Sequence, residues 1–278
     1  MSVARSLLPD ERPPPPQRPP LPAMHPKIRL RGLVKSFGDK VVLDGVDLDV
    51  LPGTSMVVIG GSGSGKSVLL KCILGLLEPD AGTIEIDGRD LLAMSRPERA
   101  AVHRKIGMLF QNGALFDSLP VWENVTFGLL AQNRLRRSAA REAAGGFLAE
   151  VGLAASVGDL SPAELSGGMQ KRVALARAIA AKPDIMFFDE PTTGLDPIMG
   201  AIIDGLLVDC VKRLGSTAVA ITHDMASARR IGDAAAMLHH GKIVWSGPAG
   251  ELMNSGNPIV EQFTHGRREG PIQMELRR

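Results

Sequence analysis

Three apolar runs in the chain are continuous rather than alternating: SMVVIG ending at Gly60, DIMFFDE ending at Glu190 and TAVAITHD ending at Asp224. Strands covered on both faces read this way, which points to a parallel sheet. Each run ends in polar residues. Ligands in open α/β sheets bind beyond the carboxyl ends of the strands, so the three ends are expected to converge on one site. Residues 27–50, KIRLRGLVKSFGDKVVLDGVDLDV, alternate apolar and polar positions around GD and DG turn signals and predict antiparallel strands, with one more in TIEIDG at 83–88. VLLKCILGLL, directly after Ser67, has helical spacing, and the span from Gln111 to Ser166 reads as mainly helical, most clearly in RRSAAREAAGGFLAEVGL. The pattern predicts an α/β fold with a helical lobe over about 112–165, and no internal repeat is visible.

Composition bounds the class. A length of 278 residues with 44% apolar content allows one large α/β domain or two small ones around a sizeable core. The formal charge of +2, without a long basic run interleaved with aromatics, argues against a nucleic-acid partner. Cys72 and Cys210 each lie in an apolar, helix-like stretch, too few for a disulfide framework, and indicate a reducing compartment. No run of about 18 apolar residues is present to span a bilayer, and the opening MSVARSLLPDERPPPP lacks the apolar core of a secretory signal. A membrane role is therefore expected to be peripheral, through a partner. Residues 1–26 are proline-dense and are expected to form an extended, unpacked tail, with folded sequence starting near Lys27.

The chemistry sits at the ends of the apolar runs. GGSGSGKS (Gly60, Gly61, Ser62, Gly63, Ser64, Gly65, Lys66, Ser67) follows a strand and opens a helix, the context a Walker A motif requires. Its glycines leave backbone N–H groups free to surround phosphate oxygens, and the helix start adds partial positive charge. Lys66 is expected to reach the β- and γ-phosphates of ATP, and the Ser67 hydroxyl to ligate Mg²⁺. Asp189 is expected to hold the Mg²⁺, directly or through its water, and Glu190 to polarise the attacking water. His223 is either a γ-phosphate sensor or an ordinary hydrogen-bonded histidine. Gln111, ending the run IGMLF, is placed to reach the metal or the attacking water. In ELSGGMQKR, two glycines follow Ser166 at the head of the helix-forming VALARAIAA, so Ser166 is the expected N-cap. Such a helix start is a second anion site, separate from the first.

GGSGSGKS, Gln111, LSGGMQKR, IMFFDEP, GLDP at 194–197 and ITHD at 221–224 occur in the order that marks the ATPase subunits of ABC transporters, which residues 27–250 resemble. The resemblance implies a P-loop ABC-type ATPase domain with a mixed sheet core, an antiparallel β subdomain and an inserted helical subdomain, followed by a C-terminal extension over 251–278. It implies ATP and Mg²⁺ as cofactors and a head-to-tail homodimer in which Ser166, Gly167 and Gly168 face the γ-phosphate held by the other copy. It assigns Gln111 to the Q-loop, Asp196 to the D-loop, Glu190 to the catalytic glutamate and His223 to the switch histidine. The family usually stacks adenine on a tyrosine. This chain has none, and Phe37 is the matching position, either a stacking residue or a core residue.

QNGALFDSLPVWENVTFGL is similar to the ATPase subunits of lipid transporters that work with MCE proteins, the type that maintains outer-membrane lipid asymmetry. DPIMGAIID and NPIVEQFTHGRREGPI are similar to the same group, whereas the final QMELRR departs from it. That likeness implies lipid transport, membrane permease subunits, an MCE-domain partner and a peripheral position on the cytoplasmic face of the inner membrane. An amino-acid or small-solute importer subunit is the alternative. Soluble relatives acting on ribosomes generally carry two cassettes, and those acting on DNA a long coiled coil, neither of which this chain has. Leu115, Phe116 and Trp122 are candidates for the groove that grips a short permease helix, with burial inside the helical lobe the other reading, level with it for Trp122.

Overall fold

The structure, a computed structural model, describes residues 25–273. The tail expected over 1–26 falls almost wholly outside the described residues, as does QMELRR beyond Gln273. The chain opens with β1 (Ile28–Phe37), β2 (Lys40–Val50), β3 (Ser55–Ile59) and α1 (Lys66–Ile73). There follow β4 (Ala81–Ile86), β5 (Arg89–Asp90), α2 (Arg96–His103) and β6 (Ile106–Leu109). Three helices come next: α3 (Val121–Ala131), α4 (Arg137–Glu150) and α5 (Gly167–Ile179). The last part holds β7 (Ile185–Asp189), α6 (Pro197–Leu214), β8 (Thr217–Ile221), α7 (Met225–Ile231), β9 (Ala234–His239), β10 (Lys242–Pro248) and α8 (Pro258–Thr264).

The strands form two sheets. One is antiparallel in the order β2-β1-β4-β5, as the alternating pattern of 27–50 and 83–88 requires. The other runs β10-β9-β3-β8-β7-β6 and is mixed: β10 is antiparallel to β9, and the remaining neighbours are parallel. The three continuous apolar runs are its central strands β3, β8 and β7, and both faces of each are covered. Val57, Ile59, Met186, Phe188, Ala218 and Ala220 face a core shared with α3 to α7. Met56, Val58, Ile185, Phe187, Val219 and Ile221 face a second core built with α1 and the antiparallel sheet. Burial of each larger side chain contributes about 1.5–3 kcal/mol, so neither face tolerates a polar alternation.

Within 112–165, α3 and α4 are separated by turns and followed by two short 3-10 turns. Val121, Val125, Ala144 and Leu148, from α3 and α4, belong to the same buried cluster as the sheet, so these helices share its core through α5. The region after 250 also contributes, with Leu252 and Val260 fully buried in that cluster. Here Asn257 caps α8 and donates to Val244 O at 3.0 Å. Gln262 grips one residue of the returning chain through both amide groups, accepting from Ile272 N at 2.6 Å and donating to Ile272 O at 3.0 Å.

Register aligns the strand ends. Val58 and Asp189 both pair with Ile221, and Leu109 pairs with Phe188. The loops leaving β3, β6, β7 and β8 therefore start at nearly one level, which brings Gly60, Gln111, Glu190 and His223 together.

Candidate active site

The loop after β3 depends on glycine at both ends. Gly60 has φ 155°, and a Cβ there would lie 2.3 Å from Leu238 O. Gly65, the N-cap of α1, has φ 104°, and a Cβ would meet Val42 O at 2.9 Å. No larger residue fits either point without moving backbone. Lys66 opens α1, is buried, and donates from Nζ to Gly60 O at 2.8 Å and Gly61 O at 3.1 Å. Burial pushes its ammonium pKa down, while the nearby Glu190 and Asp189 carboxylates oppose that shift.

A cleft of about 650 Å³ opens above this loop. Gly60, Gly61, Ser62, Gly63, Lys66 and Ser67 form its floor, and Gln111, Glu190, His223 and Phe263 its walls. Glu190 sits just past β7 with φ 48°, an unfavourable conformation for a residue bearing a side chain. Its N–H donates to Ile221 O at 2.9 Å, which locks the strain in place. His223 Nδ1 donates to Glu190 Oε2 at 2.6 Å and Thr193 Oγ1 donates to the same oxygen at 3.0 Å. Glu190 Oε1 has no hydrogen-bond partner among the described residues and remains available to water. The histidine side chain is 61% exposed and the glutamate 13%, so the pair runs from solvent into the cleft.

Asp189 lies deeper. Its Oδ1 is buried without a hydrogen-bond partner, and burial, with Glu190 beside it, pushes its carboxyl pKa up against the opposing charges of Lys71, Lys66 and Lys171. Ser64 Oγ is likewise buried without a partner.

The remaining site candidates do not line this cleft. Ser166 caps α5 as expected, accepting from Met169 N at 3.3 Å. Gly168 is pressed against α6, where an added Cβ would come within 3.0 Å of Met199 Sδ. Asp196 caps α6, accepting from Ile198 N and Met199 N, each at 3.0 Å. Phe37 is 50% exposed with Lys35 Nζ 5.7 Å from its ring centroid, so it is not a core residue. Phe116 is 43% exposed and lies 4.5 Å from the Phe127 ring. Leu115 and Trp122 instead pack against the core, with the Arg137 guanidinium 5.1 Å from the Trp122 ring.

Three features were not anticipated from the sequence. The direct contact between His223 and Glu190 is one, and Phe263 in the cleft wall is another. Lys171 is the third: its ammonium donates to Gln111 O, and to Glu190 O at 3.5 Å. A signal for it was present, because Lys171 falls on the buried stripe of α5 with Gly168, Ala174 and Leu175.

A protein-family model described as ABC transporter matches residues 43–193. The probable ribonucleotide transport ATP-binding protein mkl of Mycobacterium leprae is 40% identical over 247 residues, covering 89% of this chain and 71% of the relative. The intermembrane phospholipid transport system ATP-binding protein MlaF of Haemophilus influenzae is 38% identical over 248 residues, covering 89% of this chain and 94% of the relative. Among solved structures, a dimeric post-hydrolysis state of an ATP-binding cassette bound to ADP and Pi superposes with a TM-score of 0.73 at 32% identity, covering 80% of this chain and 98% of that one. Its fold, its phosphate loop and these relatives together place the chain in the ABC transporter family, as an ATP-binding, ATP-hydrolysing subunit.

Proposed function

We propose that this chain hydrolyses ATP as one of two identical subunits that drive a phospholipid transporter of the cell envelope. The observation that carries the reading is the incompleteness of the cleft. One chain assembles the phosphate loop, Lys66, Glu190 and His223, yet leaves Ser166, Gly167, Gly168 and Asp196 outside it. A second copy, docked head to tail, would bring its own α5 N-terminus to the open side, where a helix start favours an anion. That the similar cassette bound to ADP and Pi is dimeric supports a two-chain reading.

The residues fit a magnesium nucleotide. Asp189 Oδ1 is a buried carboxylate oxygen with no partner and a raised pKa, both of which a divalent cation relieves. No group of three or more His, Cys, Asp or Glu side chains suited to a metal occurs among the described residues. Such a site suits Mg²⁺, which takes few protein ligands and keeps phosphates and waters. Asp189, Ser67 and Gln111 would hold it, and it would neutralise charge on the β- and γ-phosphates. Lys66 meets those phosphates from the loop side. Glu190 Oε1 accepts the proton of the attacking water, while His223 and Thr193 hold the carboxylate by its other oxygen. Phe37, exposed at the end of β1, stacks adenine.

Among the described residues no helix is long and apolar enough to cross a membrane; in this reading the chain sits peripherally at the cytoplasmic face of the inner membrane, on separate permease chains that span it. Phe116 and Phe127 present an exposed aromatic pair beside the Q-loop for a permease helix. Phe116→Ala is expected to reduce recovery of the permease in co-purification at least several-fold while leaving ATP affinity unchanged. Equal recovery would remove Phe116 from the interface. The phospholipid assignment is supported by the MlaF relative, matched over nearly its whole length, and by the GALFDS stretch. Mass spectrometry of the detergent-purified complex tests it: phospholipid and an MCE-domain chain are expected. A solute-binding protein, or ATPase stimulation by ribonucleotides in place of lipid, would overturn it.

A further inference from the structure

Lys171 is 6% exposed, in the second turn of α5. Burying an ammonium is costly unless its donors are satisfied and opposite charge is near. Two donors are directed at main-chain carbonyls of separate loops, Gln111 O and, at 3.5 Å, Glu190 O. The carboxylates of Asp189 and Glu190 supply the opposing charge. Gln111 and Glu190 both line the cleft. A cation bonded to the backbone of Gln111 and within reach of that of Glu190 links the points where those side chains begin. Further along the same helix, Arg177 donates to Gly113 O at 2.6 Å and Ala114 O at 2.7 Å, so α5 holds this loop at Gln111, Gly113 and Ala114.

The other end of α5 is Ser166, roughly 7 Å away along the axis at about 1.5 Å per residue. A helix is rigid over that distance, and at Gly168 it leaves little room for a side chain beside Met199 of α6. We propose that Lys171 is a positioning residue that couples the two nucleotide sites of the dimer: when the partner's nucleotide engages Ser166, Lys171 carries the resulting shift of α5 to Gln111 and Glu190 of its own chain. The proposal rests on the dimer and on the roles of Gln111 and Glu190 given above. It assigns to one side chain the task of making hydrolysis in each site depend on occupancy of the other.

Lys171→Met keeps most of the buried volume and removes the donors, and Lys171→Arg keeps both charge and donors. Steady-state ATPase of the full permease complex, with thermal melting as a check on folding, separates the outcomes. For Lys171→Met, kcat is expected to fall about 10- to 100-fold, as for a misplaced catalytic group. ATP affinity should stay within about 3-fold, and the Hill coefficient, up to about 2 for two sites, should drop to about 1. Lys171→Arg should restore most of both. Unchanged kcat and Hill coefficient in Lys171→Met, a parent enzyme without cooperativity, or an equal loss in a folded Lys171→Arg would each overturn the proposal. Glu190→Gln run in parallel keeps the two levels apart: its normal turnover would sink the site assignment itself, whereas an inactive Glu190→Gln beside an unaffected Lys171→Met would sink only the coupling.

Discussion

Glu190→Gln is expected to lower ATP turnover by about 10²- to 10⁴-fold, the range supplied by a positioned general base, and to accumulate an ATP-loaded dimer. The substitution is isosteric, and an amide oxygen still accepts from His223 Nδ1 and Thr193 Oγ1, which both address a single carboxylate oxygen. Backbone at position 190 keeps its φ of 48°, so the strain there is the same in both proteins. The loss is then confined to proton acceptance at the second oxygen. Single-turnover ATPase would measure it, and size-exclusion chromatography with and without ATP would show the dimer. Hydrolysis within a few-fold of the parent would rule out Glu190 as the base.

Lys66→Ala is the second large effect. Charge-assisted hydrogen bonds contribute about 1.5–3 kcal/mol each, so ATP affinity should fall by about 10- to 150-fold, measurable by calorimetry. The fold should persist, because the bonds lost are to carbonyls of the phosphate loop at the floor of the cleft rather than to either hydrophobic core. A pH signature accompanies it. Asp189 already has a raised pKa, and Lys66 is one of the cations holding it down. Removing Lys66 raises it further, and a protonated Asp189 no longer ligates Mg²⁺. Magnesium-dependent binding should therefore fail at a higher pH in Lys66→Ala than in the parent as pH is lowered. Identical affinity and an identical pH profile would remove Lys66 from the phosphate site.

What the sequence made legible was set by local constraint. The phosphate loop was readable because Gly60 and Gly65 satisfy steric limits that few other sequences meet, and the central strands because burial on both faces leaves no polar alternation in SMVVI, IMFFD and TAVAI. β9, AAAMLH, was not readable as a strand, since alanine favours helices and is chosen here because the strand is buried between β3 and β10. Lys171 lay inside a recognised motif, but its partners are 60 and 19 residues distant, and spacing within α5 says only that it is buried. Phe263 lies in the extension beyond the ATPase domain, and only the path of the chain after β10 reveals that it lines the cleft. Ser166, by contrast, was predictable as a cap, because a cap needs only its own next turn.

The left-handed backbone at Glu190 has a consequence for how such subunits respond to selection. A chain optimised solely for robustness would put glycine or asparagine at that corner, and would thereby forfeit its proton acceptor. Variants at position 190 recovered from a screen for heat resistance should accordingly be inert as motors, so that durability and turnover pull in opposite directions at this one residue.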